Sequence, residues 1–265
     1  SYFLNIKISL IEFLYVNLML SFFQLIINII IFKHCFPEVI YAKSNYRIKD
    51  WLNTSSPMLL SNVSLRILTY SDVIFIKVFL GAELVGLYNL MSKSIMLLDY
   101  LQISINTVKG PDFSQYFVKK NFEALTLDFF YSRNIVFFLT IIFSFALYFI
   151  LPFVFHHTGN DFSSLLIPFT ILIFSKWLSA FSGPSGLLLN LINKQLLHMY
   201  LTVAGVLLYV FSGFILTSNF GLIGISIATL LGYGFVNLVK HYYALVSLKS
   251  NLLISLKSLF QLKLH

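Results

Sequence analysis

The sequence predicts an all-α fold, a polytopic membrane helix bundle of seven spans, and three observations carry that prediction. Of 265 residues, 58% are hydrophobic and 11% charged, and the mean hydropathy is +0.86. A soluble domain carries about 25% charged residues. Seven runs reach the roughly 20 apolar residues that a spanning helix needs. Those runs are too long and too uniformly apolar for the alternation of an outer-membrane barrel. The same balance excludes disorder and a coiled coil, and Cys35 has no second cysteine with which to build a disulfide scaffold. The 29 Phe against 12 Gly and 6 Pro suit long, bulky, lipid-facing helices. Tyr2–Leu10 has no basic n-region followed by a cleavage site, so the chain reads as a fragment of a longer protein without a signal peptide.

In chain order the spans are A (Leu10–Phe32), B (Ser55–Leu80), C (Leu84–Val108), D (Asn134–Phe155), E (Phe162–Asn190), F (Leu196–Ser218) and G (Leu222–Leu245). The segment Lys33–Asp50, mixing Lys, Pro, Glu, Asn and Arg, separates A from the six-span block B–G. Cations fall on alternate connections. Lys33, Lys43, Arg47 and Lys49 lie between A and B, and Lys109, Lys119, Lys120 and Arg133 between C and D. Lys194 lies between E and F, and Lys249, Lys257 and Lys263 follow G. Gly81–Glu83, His156–Asp161 and the turn at Asn219 hold no Lys or Arg. The positive-inside rule then predicts a membrane protein with a cytoplasmic C-terminus, span A entering from outside, and Lys7 alone on the wrong side. It also accounts for the net charge of +8 and pI near 9.4 without nucleic acid. Gly110–Arg133 predicts a short interfacial helix with Phe113, Phe117, Phe122 and Leu125 on one face. Asn251–His265 repeats that pattern with Leu252, Leu256, Leu259 and Phe260.

Ionisable side chains at membrane depth are expensive and face the bundle or a watery cavity. Span B carries Arg66, Asp72 and Lys77, span C Lys93 and Asp99, and span E Lys176. Counted inward from the outer B–C turn, Asp72 and Lys93 both fall at about 12–14 Å, and Arg66 and Asp99 at about 21–22 Å. The antiparallel hairpin therefore predicts Asp72–Lys93 and Arg66–Asp99 as neighbours. Six residues separate the charges on each helix, about 240° of rotation, so at least one pair points into a cavity. These pairs either neutralise each other or form a site in which cations hold an anion and a carboxylate carries a coupling ion. Lys77 and Lys240 read as interfacial, with charged heads reaching the headgroups. Lys176 lies near mid-depth and is followed by Ser182-Gly183-Pro184-Ser185-Gly186, a helix break of the kind that marks transporter binding sites. His156 and His157 read as surface residues. Gly221, Gly224, Ser226, Ala228 and Thr229 mark a close-packing face of span G. There is no Walker loop, no nucleophile elbow and no metal-ligand spacing, so ATP, a cofactor and an enzymatic role are not expected.

Five stretches then fit one family. Ser56-Pro57 through Ser61-Asn62, Ser71-Asp72, and Leu80-Gly81-Ala82-Glu83 through Gly86-Leu87-Tyr88 come first. The break at Ser182–Asn190 and the run Phe220–Thr229 follow in the same order. Over about residues 50–246 the chain resembles the polysaccharide-repeat, or O-antigen and capsule, flippases (Wzx-like) of the multidrug/oligosaccharidyl-lipid/polysaccharide exporter superfamily. The resemblance implies the C-terminal lobe of a two-lobed, six-plus-six-helix transporter. Residues 1–50 would be the last helix of the first lobe and a cytoplasmic connector, 51–246 the six-helix second lobe, and 247–265 a cytoplasmic interfacial tail. It implies translocation of an undecaprenyl-diphosphate-linked oligosaccharide by alternating access. Substrate contacts would fall at Arg66, Lys93 and Lys176, ion coupling at Asp72 or Asp99, and a hinge at Gly183, Pro184 and Gly186. Membrane lipids, a polysaccharide polymerase and a chain-length regulator are the implied partners. A drug/cation antiporter of the same superfamily, a membrane-embedded glycan polymerase or ligase, and a non-catalytic scaffold for glycan assembly are the alternatives.

Overall fold

The computed structural model describes residues 10–35, 46–157 and 162–248, and every element in them is helical. The chain divides into two units, Ser1–Ile48 and Lys49–His265. In the first, α1 (Leu10–Cys35) is a single apolar helix exposed along its length. The second is built from α2 (Ile48–Tyr70), α3 (Asp72–Leu80), α4 (Ala82–Val118), α5 (Phe122–His157), α6 (Leu166–Ser182), α7 (Ser185–Leu191) and α8 (Gln195–Ser247).

Four helical stretches among the described residues are long and apolar enough to cross a membrane: Ile11–Cys35, Phe122–His157, Ser163–Leu191 and Gln195–Ser247. The last contains both predicted spans F and G. Gly221 leaves helical backbone at φ 59° and ψ −132°, a left-handed φ that only glycine adopts cheaply, and the two arms of α8 fold back on each other there. A Cβ on Gly224 would stand 1.9 Å from the Leu216 carbonyl oxygen, and one on Gly205 would stand 2.0 Å from Val236 Cγ2. With Ser226 and Ala228 fully buried, the small residues of span G are the close-packing face that the sequence predicts. Such contact holds helices together by dispersion where lipid removes the hydrophobic drive.

Predicted spans B and C are helical but fall short of that apolar standard. B is interrupted at Ser71, whose hydroxyl bonds the Ile67 carbonyl (2.5 Å) in competition with the helical ladder. C runs on as α4 to Val118 without a stop, because Pro111 lies inside the helix and its missing donor is tolerated. The separate interfacial helix predicted over Gly110–Arg133 is therefore replaced by the ends of α4 and α5, joined at a tight turn where Lys120 has φ 56°. Phe113 and Leu125 from its predicted apolar face are fully buried with Phe129, Leu188 and Ala244 in a second core. The predicted tail Asn251–His265 lies outside the described residues.

The main core joins α2, α3, α4, α5, α6 and α8 through Leu68, Ile76, Tyr88, Met91, Phe169 and Tyr209. Outside it, Phe149, Phe153, Phe211 and Phe214 stand exposed. Large exposed aromatics on long apolar helices suit a lipid surface.

Candidate functional site

Asp72 opens α3 immediately after the interruption at Ser71, and it is 6% exposed. Three hydroxyls from three directions donate to its carboxylate: Tyr88 from α4 (2.9 Å), Tyr209 from the first arm of α8 (2.5 Å) and Thr229 from the second arm (3.2 Å). Ser71 in turn donates to the Tyr209 hydroxyl at 3.3 Å. A buried carboxylate is tolerated only when its lone pairs are filled, and here hydroxyls fill them in place of a cation. Asp72 thereby ties α3 to α4 and to both arms of α8.

Farther along α4, the Lys176 ammonium of α6 lies 2.8 Å from both oxygens of Asp99. It also sits 5.0 Å from the centre of the Tyr233 ring, and the Tyr233 hydroxyl shares a 2.6 Å hydrogen bond with Thr69. Asp72, Lys93, Lys176, Thr229 and Tyr233 line a common cavity of about 50 Å³, room for a water or two.

The predicted pairing is thus half replaced. Asp72 and Lys93 line one cavity, but Asp72 takes its bonds from hydroxyls. Asp99 pairs with Lys176, and Arg66 turns away to line a shallow, open groove along α2 and the start of α3 with Ser55, Met58, Leu59, Asn62 and Val63. The reason is rotational: equal depth on two helices fixes height, whereas the 240° between the charges on each helix decides which neighbour they meet. Arg66 donates to the Tyr70 hydroxyl at 3.2 Å, with its guanidinium carbon 5.9 Å from that ring's centre, and the Lys93 ammonium lies 4.6 Å from the same centre. Among the described residues neither cation forms an ion pair, since the bridges are Lys109–Asp112, Lys109–Asp128 and Lys176–Asp99.

The predicted hinge is a true break in the backbone. Helix α6 ends at Ser182, Gly183 takes φ 60° and ψ −151°, and α7 begins at Ser185. Gln102 of α4 donates to the Gly183 carbonyl at 2.7 Å and accepts from Ser179 at 3.1 Å, bracing the break. A Cβ on Gly183 would lie 2.7 Å from the Arg133 side chain, and one on Gly186 would lie 3.2 Å from His198 Nε2. Two cations sit here against expectation. Arg133, placed by sequence in the C–D connection, is fully buried inside α5, donating to Asn134 Oδ1 (2.7 Å) and lying 4.9 Å from the Phe130 ring centre. Lys240, read as interfacial, is 4% exposed, because the α7 segment behind the break covers it.

Sequence reasoning missed Tyr70, Tyr88, Tyr209, Tyr233 and Thr229, although buried tyrosines in apolar helices need partners for their hydroxyls. Among the described residues no three His, Cys, Asp or Glu side chains converge to hold a metal ion.

Residues 3–117 match the family described as polysaccharide biosynthesis protein, which bears out the family resemblance. The match takes in α1 and the Ser56–Asn62, Ser71–Asp72 and Leu80–Tyr88 stretches, while Ser182–Asn190 and Phe220–Thr229 lie beyond it. No curated protein and no solved structure matches the chain.

Proposed function

We infer that this helical bundle, whose first 117 residues carry the polysaccharide biosynthesis match from residue 3 onward, is the second lobe of a flippase. Its cargo is an undecaprenyl-diphosphate-linked oligosaccharide repeat unit of the O-antigen or capsule type, moved across a bacterial inner membrane by alternating access. The chain crosses seven times with its C-terminus in the cytoplasm, works by transport rather than by bond chemistry, and cooperates with a polysaccharide polymerase and a chain-length regulator.

One observation carries this reading: Arg66 and Lys93 have no carboxylate partner among the described residues, and Arg66 lines a largely apolar groove. An unpaired cation at membrane depth costs about 2.5–3.5 kcal/mol on insertion scales, and an arriving anion offsets that cost. An apolar groove beside two such cations suits a long hydrocarbon chain with a diphosphate head. A drug/cation antiporter needs uncommitted acids, whereas Asp99 here is neutralised by Lys176 and Asp72 is held by hydroxyls.

The site residues divide the work accordingly. Arg66 and Lys93 receive the phosphates, and Lys176 takes them over as it leaves Asp99. Asp99, so released, and Asp72 are the groups that can accept a coupling proton or ion. Protonating Asp72 weakens its carboxylate as the acceptor for the hydroxyls of Tyr88, Tyr209 and Thr229, which unties α3 from α4 and α8. The break at Gly183, Pro184 and Gly186 lets the helix bend as the lobe reorients. Arg66→Gln and Lys93→Gln, in cells lacking the native gene and at matched protein levels, test the reading. Surface glycan should fall by about tenfold or more, the worth of one charge-assisted contact; unchanged export in both variants would overturn it.

A further inference from the structure

The groove that holds Arg66 and the small cavity that holds Lys93 and Lys176 are separate spaces, and Tyr70 lines both of them. Tyr70 is the last residue of α2, directly before the interruption at Ser71, so its backbone sits where the helical ladder is weakest. The residue is 39% exposed and lacks the full burial that locks a core aromatic. What holds it is charge: the Lys93 ammonium at 4.6 Å from its centre, the Arg66 guanidinium at 5.9 Å, and the Arg66 hydrogen bond to its hydroxyl. Two like charges gather on one ring because its quadrupole is the negative partner available to both.

We propose that Tyr70 is a gate between the groove and the inner cavity, latched by Arg66 and Lys93 and opened when an anionic headgroup draws those cations off the ring. A phosphate group competes well for them, since a full negative charge outbids an aromatic face. Binding at the mouth would therefore open the way to Lys176, and an uncharged amphiphile in the same groove would leave the gate shut. The gate gives the transport reading a headgroup check; its purpose rests on that reading, whereas the partition itself does not.

The test places a cysteine behind the gate and reads how fast it is reached. Ser175 lines the inner cavity and is 1% exposed. In the full-length protein in membrane vesicles, with Cys35→Ser and any cysteine outside this chain also replaced by serine, Ser175→Cys is reacted with the uncharged hydroxyethyl methanethiosulfonate. Tyr70→Ala should react about tenfold faster than the parent, the worth of the two cation–ring contacts together. Tyr70→Phe, which keeps the ring, should stay within about twofold. Arg66→Gln with Lys93→Gln, which keeps the ring and removes both latches, should also react faster. Inorganic diphosphate should accelerate the parent and leave that double variant unchanged. If neither Tyr70→Ala nor the double variant reacts faster than the parent, the gate is wrong; if diphosphate has no effect on the parent, its opening by anions is wrong. Neither result depends on glycan export, so the gate and the transport reading fail separately.

Discussion

Replacing Asp99 with Asn strands the ammonium of Lys176 beside Tyr233 and Thr69, with only the Asp72 carboxylate across the cavity, already held by hydroxyls, to balance its charge. The pair is bidentate at 2.8 Å, and the side chains are 13% exposed at Lys176 and 33% at Asp99. Breaking a fully buried pair costs about 3–5 kcal/mol. The two single variants should differ, because the charge left behind differs in its access to solvent. Asp99→Asn leaves the more buried group charged and should cost about 3 kcal/mol; Lys176→Met leaves the more exposed carboxylate and should cost about 2 kcal/mol. The double variant leaves no orphan charge, so it should cost about 2 kcal/mol less than the sum of the two. At about 2–4 °C per kcal/mol for a chain of this size, Asp99→Asn should lower Tm by roughly 6–12 °C. Trp177 adjoins Lys176 and donates to Ser144 at 3.0 Å, so tryptophan fluorescence of the detergent-solubilised protein during heating is a local reporter. Additive losses in the double variant, or a harmless Asp99→Asn, would refute the pairing.

Three further outcomes follow from the geometry. Asp72→Asn keeps one acceptor oxygen and turns an amide donor toward hydroxyls that already donate. It should cost about 2–4 kcal/mol in the same melting assay, as buried unsatisfied groups do, and it should leave any remaining transport insensitive to an imposed proton gradient. Gly183→Ala meets Arg133 at 2.7 Å in a left-handed φ, and it should reduce the folded yield in membranes far more than Ser182→Ala does. Lys109 is held above its ordinary value of 10.5 by the hydrogen bond it donates to the Asp128 carboxylate. The stability it contributes is complete below that value and is lost as pH rises through the elevated one. Melting followed from neutral to strongly alkaline pH should show that limb, and Asp128→Asn should remove it.

The sequence carried the helices and the heights of the charges well, because hydropathy and a 1.5 Å rise per residue need no tertiary information. It carried partner identity poorly. Counted inward from Phe162, Lys176 lies at about 21 Å, the same depth as Arg66 and Asp99, so depth alone offered Asp99 two cations, and rotation about the helix axes chose Lys176. Asp72 was legible as a buried carboxylate, but its partners lie 16, 137 and 157 residues away, separations over which no local pattern operates. Arg133 and Lys240 were misplaced for a related reason. Charge next to a connection reads as exposed until the α6–α7 break is seen to pack against it. The break at Gly183 was legible because Gly-Pro chemistry is local.

The most direct test of the flippase account is to delete the full-length gene and determine which lipid-linked glycan accumulates and on which leaflet. The account predicts complete repeat units on undecaprenyl diphosphate trapped at the cytoplasmic face, with none at the surface. Single repeats that reach the outer face without polymerising would contradict it and point to a polymerase instead.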